Sequence, residues 1–389
     1  MRYLDSIFGN LLKPIDRRKF RGIVKRHDGD AYDKSFKSWD HLVALIFAQL
    51  SHVDTLRGLE QVFNANAQHH YHLGVGKLAR TTLSDANKRR PVEVFADTFT
   101  MLSLMANRSI RQEGAQMIRL IDASPVPLGK LCDWATWNGR IRGMKLHVVY
   151  DPDADRPLGV EATPATVNDI EIGRKVAIEA GMTYVFDKGY CRFDWWKKIN
   201  DDGALFVTRP KVNCRLRSIR RRPLRRRRAD GFCIIDDHEV KLISKGHSPS
   251  RLAMPLRRIR LRRDNGAIMT LITNDLTRSA IEVATLYKRR WQIELVFRWI
   301  KQHLRIGKFL GTNENAIRLQ ILAAMIAFLL LRIAARLNSL RSPPLRLSEL
   351  VCQFLFVRRP IAKIDKPIPV NASKPQPRSS PDQWEFCYA

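Results

Sequence analysis

The sequence predicts an α/β fold: a layered central domain of mixed strand directions, preceded by a small all-α region and interrupted by a basic, β-rich insertion. Three observations predict it. Near Gln116 the hydrophobic period changes from helical spacing to short strand-like runs. From there strand, hairpin, helix, strand, helix and strand follow in turn. An arginine-dense stretch, KVNCRLRSIRRRPLRRRR over 211–228, stands between strands inside the chain, not at an end.

Composition names the class of partner before any site is known. The 389 residues, 45% of them hydrophobic, suffice for two or three domains and a sizeable core. A formal net charge of +30 and a pI near 10.4 favour a polyanion, nucleic acid first and an acidic membrane surface second. Charge alone does not separate an enzyme from a passive binder. Asp5, Gly9 and Asn10 interrupt the apolar start, so no secretory signal is expected. The longest apolar run, Ile321 to Leu331, is short for a bilayer and reads as a buried helix. Six scattered cysteines without CxxC spacing suggest reduced thiols in a cytoplasm.

Residues 1–108 form the expected helical domain. Trp39 to Leu50 and Thr55 to Asn64 carry apolar residues at helical spacing. In RTTLSDANKRRP, Thr82 reads as a cap with Asp85 three residues on, and Pro91 opens the next helix. Lys88, Arg89 and Arg90 gather at the end of that short helix, which suits a DNA-reading bundle. An ordinary helical domain with basic ends fits equally well. His69, His70 and His72 lack zinc partners at the usual spacing and read as a polar loop.

The first part of the core, 109–210, opens with MIRLIDAS, a strand expected to end at Asp122. GMKLHVVYD and PLGVEATPA flank the turn DPDADR as a hairpin. That turn is no calcium loop, since Arg156 and Ala162 occupy the places of its glycine and glutamate. A helix over Asp169–Ala180 precedes MTYVFDKGY, a strand terminating at Asp187, where Gly189 permits a sharp turn. A helix near Asp194–Asn200 and the strand ALFVTRP complete this part. The insertion, 211–264, alternates FCIIDDHEVKLIS with LRRIRLRR and displays arginines for sequence-independent phosphate contact, Arg220, Arg221 and Arg222 among them. The second part of the core, 265–340, begins with AIMTLITNDL, a strand returning to the main sheet. It ends in a helix from Asn315 to Leu337, and 341–389 follow as a helix and an extended tail.

Between them, Ser279 to Arg305 reads as one long helix with a Ser279/Glu282 capping box. Tyr287, Arg290, Glu294 and Lys301 fall within a sector of about 60° at ~100° per residue. An apolar stripe of Leu286, Ile293, Val296, Phe297, Ile300 and Leu304 adjoins it. The row is either a solvated face, with Glu294 and Arg298 as a surface ion pair, or a metal-binding carboxylate flanked by phosphate-contacting groups. If Glu294 lies across the strand ends bearing Asp122 and Asp187, three carboxylates crowd together and raise one another's pKa. A hard divalent cation removes that cost, and Mg²⁺ takes oxygen ligands. Two such ions would act on both sides of a phosphodiester. No Ser-His-Asp arrangement, GxxxxGK[ST] loop or HExxH helix offers a rival chemistry.

Tyr287, Arg290, Glu294 and Lys301, with two, three and six residues between them, resemble the spaced YREK signature of bacterial DDE transposases of the IS-four group. Asp187-Lys188-Gly189-Tyr190 is similar to that family's segment around its second aspartate, and Asp122-Ala123-Ser124 stands in the place of its first. The resemblance covers roughly Gln116 to Leu337, and the helical region also looks like the domain preceding the core in a subgroup. It implies an RNase H-like catalytic core with the β-rich insertion between the second Asp and the Glu. It further implies a multimeric complex, such as a homodimer on DNA, that cuts at terminal inverted repeats and joins 3′ ends to target DNA, often through hairpins. Asp122, Asp187 and Glu294 would then hold Mg²⁺ or Mn²⁺, two ions in all, while Tyr287, Arg290 and Lys301 contact DNA. The arginine-dense 211–228 stretch matches no motif of the family. A catalytically silent DNA-binding protein on the same fold, or a related metal-dependent nuclease, are the alternatives.

Overall fold

The structure is a computed structural model that describes residues 5–108, 117–129, 132–139, 141–212, 214–224, 227–243, 254–303, 309–340 and 344–366. The N-terminal part holds α1 (Ile7–Leu12), α2 (Arg17–Arg26), α3 (Ser38–Ser51), α4 (Leu56–Ala65), α5 (His70–Leu73), α6 (Arg80–Arg89) and α7 (Val92–Arg108). Then come β1 (Ile118–Pro127), β2 (Gly143–Asp151), β3 (Arg156–Pro164), α8 (Asp169–Gly173), β4 (Thr183–Phe186), α9 (Phe193–Asp201) and β5 (Leu205–Thr208). The basic region supplies β6 (Leu216–Arg221), β7 (Arg228–Ala229), β8 (Phe232–Leu242) and β9 (Leu256–Arg263). The chain returns through β10 (Ile268–Thr273) to α10 (Ala280–Arg289), α11 (Trp291–His303), α12 (Glu314–Leu337) and α13 (Pro344–Phe354).

The strands form one sheet in the order β3-β2-β1-β4-β5-β10-β9-β8-β6, with β7 beside β8. β1, β4 and β5 run parallel; β2 and β3 on one side, and β10, β9, β8 and β6 on the other, are antiparallel to their neighbours. The basic strands therefore extend the main sheet. Alternation splits the core between two faces. Ile118, Leu120, Val185 and Val207 join the cluster under α10, α11 and α12, while Ile121, Tyr184, Phe186 and Phe206 join the one with Trp195, Trp196 and Ile199 of α9. That parity decides which way the functional side chains turn.

Local chemistry explains most boundaries. Thr55 and Asn313 cap α4 and α12 through their side chains, and the Ser279/Glu282 box opens α10. α12 is long and apolar enough to cross a membrane, yet 83% of its apolar window is buried. It is apolar all round because α3, α6 and α7 cover it on one side and α11 and β3 on others. One apolar cluster thus runs from Ile7 of α1 to Ile364. α7 follows Pro91, as the sequence suggests.

Several expectations are corrected. α6 starts at Arg80 with Ala79 as its cap, leaving Thr82 inside the helix. The helix expected over Asp169–Ala180 stops at Gly173, where a Cβ would press 2.9 Å from the Tyr190 ring. The histidine stretch is helical: His70 is buried and its Nε2 lies 3.0 Å from the Phe63 carbonyl oxygen. β1 continues past Asp122 to Pro127, because β2 pairs with it along that length although β4 has already ended. Gly189 keeps an ordinary φ and is needed instead for close approach, since a Cβ there would lie 2.9 Å from Asp169 Oδ2. The turn at 151–156 is a plain turn whose acids pair with Arg119, Arg289 and Arg332. Leu304, Arg305 and the tail from 367 lie outside the described residues.

Arg90 is corrected as a DNA contact. It is 3% exposed, and its guanidinium donates to Asp30, Asp33, Ser38 Oγ and the Phe36 carbonyl. Both terminal nitrogens are spent on these partners and the unbonded Nε is buried, so nothing is left to face a phosphate backbone. Arg90→Ala is expected to cost about 3 kcal/mol of stability, as buried ion-pair loss does. Chemical denaturation checks this, together with unchanged DNA affinity in the folded fraction.

Candidate active site

The site forms where the parallel part of the sheet ends. Ile121 of β1 pairs with Phe186 of β4 as their last rung, so Asp122 and Asp187 are the next residues in step. Each lies two residues beyond an inward side chain, Leu120 or Val185, and so turns to the face covered by α10 and α11. α10 packs on β4 and β5, and α11 packs on β1. The expected single helix is broken: Arg290 separates α10 from α11, with 3₁₀-type bonds from the Arg290 amide to Tyr287 O and from the Ile293 amide to Arg290 O. The break lets Arg290 reach back over the strands.

Arg290 is the hub. Its Nη1 donates to Asp122 Oδ2 at 2.9 Å and its Nη2 to Glu294 Oε1 at 2.5 Å. Asp187 is held separately, by Arg209 Nε to Oδ1 at 2.9 Å, Arg209 Nη2 to Oδ2 at 3.3 Å and the Tyr287 hydroxyl to Oδ1 at 3.2 Å. Glu294 is thus paired with Arg290, not with Arg298. Lys301, two turns beyond Glu294, is half-buried and has no ion pair among the described residues.

Burial and charge set the titration of each group. Burial lifts the Asp122 carboxyl to about 6 against the pull of Arg290 and the Ala123 amide, and the negative charges of Glu294 and Asp187 push it the same way. Burial also works on Asp187, but hydrogen bonds from Arg209 and the Lys188 amide outweigh it and leave its pKa lowered. The Tyr287 phenol is raised to about 12 by burial. Desolvation lowers the Lys301 ammonium. Arg290 ends above its usual range because Tyr287, Asp122 and Glu294 outweigh its burial.

Among the described residues, no group of three or more His, Cys, Asp or Glu side chains is arranged to hold a metal ion. The donor chemistry nevertheless suits a hard divalent cation: carboxylate oxygens throughout, with one positive guanidinium lodged between two of them.

The other sequence candidates divide. Lys88 and Arg89 are exposed at the end of α6. Arg221 is exposed on β6, at the sheet edge. Arg220 is exposed but bonded to Glu239. Arg222 is corrected as a free phosphate ligand, because its guanidinium is spent on Glu239 and the Leu276 carbonyl. Sequence reading missed Arg209. Its signal was parity, since Arg209 lies two residues past the inward Val207 at the end of a strand parallel to the one bearing Asp187.

Residues 113–330 match the family described as Transposase DDE domain, and residues 4–76 match Domain of unknown function (DUF4372). A Sinorhizobium fredii protein whose name designates the transposase y4zB is 57% identical over 306 residues, 79% of this chain and 85% of that protein. A Geobacillus stearothermophilus protein named for the transposase of insertion sequence element IS5377 is 29% identical, over 67% of this chain and 68% of that protein. The piggyBac transposase synaptic complex with hairpin DNA has a TM-score of 0.48 at 11% identity, covering 91% of this chain and 80% of that one. With more than half of its length matching the domain, and with a relative this similar along most of both chains, the chain belongs to the DDE transposase family.

Proposed function

We propose that this chain is the transposase of an insertion sequence, cutting DNA at terminal inverted repeats and joining the freed 3′ ends to target DNA at a site built from Asp122, Asp187 and Glu294. The observation that supports this most is the convergence of the three carboxylates, from separate segments, onto the Tyr287–Arg290 turn. The sheet order β3-β2-β1-β4-β5, with helices on both faces, supports an RNase H-like core, with β6 to β9 as its insertion. The YREK spacing supports the IS-four group. Residues 1–108 would be a DNA-binding helical region, and the functional complex a homodimer on DNA. Its place of action would be the bacterial cytoplasm, on nucleoid DNA.

Bound Mg²⁺ or Mn²⁺ would supply activation of the attacking oxygen and stabilisation of the leaving oxygen. The carboxylates of Asp122, Asp187 and Glu294 would hold it. Arg209 and the Lys188 amide keep Asp187 ionised, and Arg209 with the Tyr287 hydroxyl fixes its rotamer. Lys301, desolvated and without an acid partner among the described residues, is suited to a strand phosphate. Arg221, Lys88 and Arg89 would add contacts along the backbone, and binding should weaken steeply with salt.

Incubating the protein with DNA carrying the repeats that flank its gene, and Mn²⁺, tests the reading alongside Asp187→Asn. Cleavage and joining, both lost in the variant, support it. Binding without cutting would indicate a silent binding protein, and cutting without joining a nuclease. A pH effect follows from the raised Asp122. Below about 6 its carboxyl carries a proton that a cation must displace. Mn²⁺ affinity should therefore fall about tenfold for each pH unit below that value, and level off above it. Titration calorimetry from acid to neutral pH reads this, and Asp122→Asn should lose the dependence.

A further inference from the structure

Arg290 makes an unusual set of bonds. Its side chain is only 12% exposed, and its two terminal nitrogens are given to carboxylates from different segments, Asp122 on β1 and Glu294 on α11. Its Nε is buried with no hydrogen-bond partner. Arg90 and Arg119 also leave a buried Nε unbonded, so what marks Arg290 is its bridge between two acids of the candidate site. Arg290 is placed by charge, between two acids that would repel each other without it. It also sits at the break between α10 and α11 in the path from Ser279 to His303.

We infer that Arg290 is an internal counter-cation, which holds Asp122 and Glu294 together in the metal-free protein and is displaced from them when a divalent ion enters. The inference rests on the metal-binding reading of those carboxylates. A doubly charged cation takes the place of a singly charged one at the same pair of oxygens. Metal binding therefore bears the cost of breaking two charge-assisted hydrogen bonds, and the affinity of the free protein is held down by that amount. The released guanidinium, with all its donors then available, is left beside the site where a phosphate would lie.

The test is Mn²⁺ titration of the full-length protein without DNA, by calorimetry and by thermal shift, comparing wild type with Arg290→Gln, Arg290→Lys and Asp187→Asn. Arg290→Gln should melt lower than wild type when metal-free, bind Mn²⁺ about tenfold more tightly, and show the larger Mn²⁺-induced rise in Tm. Arg290→Lys, whose single ammonium does not span both acids, should fall between the two and serves alone if the glutamine variant does not fold. Affinity equal to or weaker than wild type in the folded variants overturns the inference while leaving the metal site intact. Mn²⁺ binding that is absent from wild type, or unchanged in Asp187→Asn, overturns the metal reading itself and the inference with it.

Discussion

Glu294→Gln is expected to abolish cleavage and strand transfer, lowering the rate on the order of 10³-fold or more, while DNA binding stays within about twofold. The amide keeps the shape of the side chain and can still meet Arg290, so α11 should stay in place. What it loses is the negative charge that a divalent cation needs. The side chain is 30% exposed, and its ionic bond is within a single helical path, so stability should change little. Gel-shift and cleavage assays on the same preparation separate the two effects. Loss of binding in parallel with cleavage would point to a structural role for Glu294.

Arg257→Ala is expected to give the largest loss of stability, about 3–5 kcal/mol, because it leaves a buried carboxylate with only the more distant Arg222, 4.0 Å away, as counter-charge. Arg257 and Asp237 are each 2% exposed in their side chains and share two bonds of 2.8 and 2.7 Å. The same guanidinium donates to the carbonyls of Asp275, at 3.1 Å, and Arg278, at 2.6 Å, in the loop that leads into α10. It thus ties the basic strands β8 and β9 to the start of the helix carrying Tyr287. Denaturant unfolding should show the loss directly. Arg257→Ala with Asp237→Leu, which removes both charges, should recover part of it, as paired removal does for buried ion pairs.

Much of this was legible in the residues. The hairpin of β2 and β3, the short strands β4 and β5 and the long buried α12 all follow from apolar runs bounded by turn residues. Of the candidate acids, Asp187 was legible as a carboxylate just past a strand, Asp122 only as one on an apolar strand that runs on to Pro127, and Glu294 through its spacing from Tyr287 and Arg290. What was hidden depends on contacts distant in sequence. The break at Arg290 has no Gly or Pro to announce it, and arises where the chain must turn from covering β4 and β5 to covering β1. The burial of Arg90 depends on Asp30 and Asp33, some sixty residues earlier. Arg222 is likewise claimed by Glu239 on the neighbouring β8, and a run of arginines does not say which of its members face solvent. The continuation of β1 beyond Asp122 comes from its pairing with β2, which its own composition does not encode.

The account stands on one arrangement: Asp122, Asp187 and Glu294 sharing divalent cations. Crystals of the protein bound to its terminal-repeat DNA and soaked in Mn²⁺, measured at the manganese absorption edge, test it most directly. The account predicts anomalous density between Asp122 and Asp187, with Glu294 at its edge and the Arg290 guanidinium moved off the carboxylates onto a phosphate. Manganese bound elsewhere, with Arg290 still bridging Asp122 and Glu294, would contradict it.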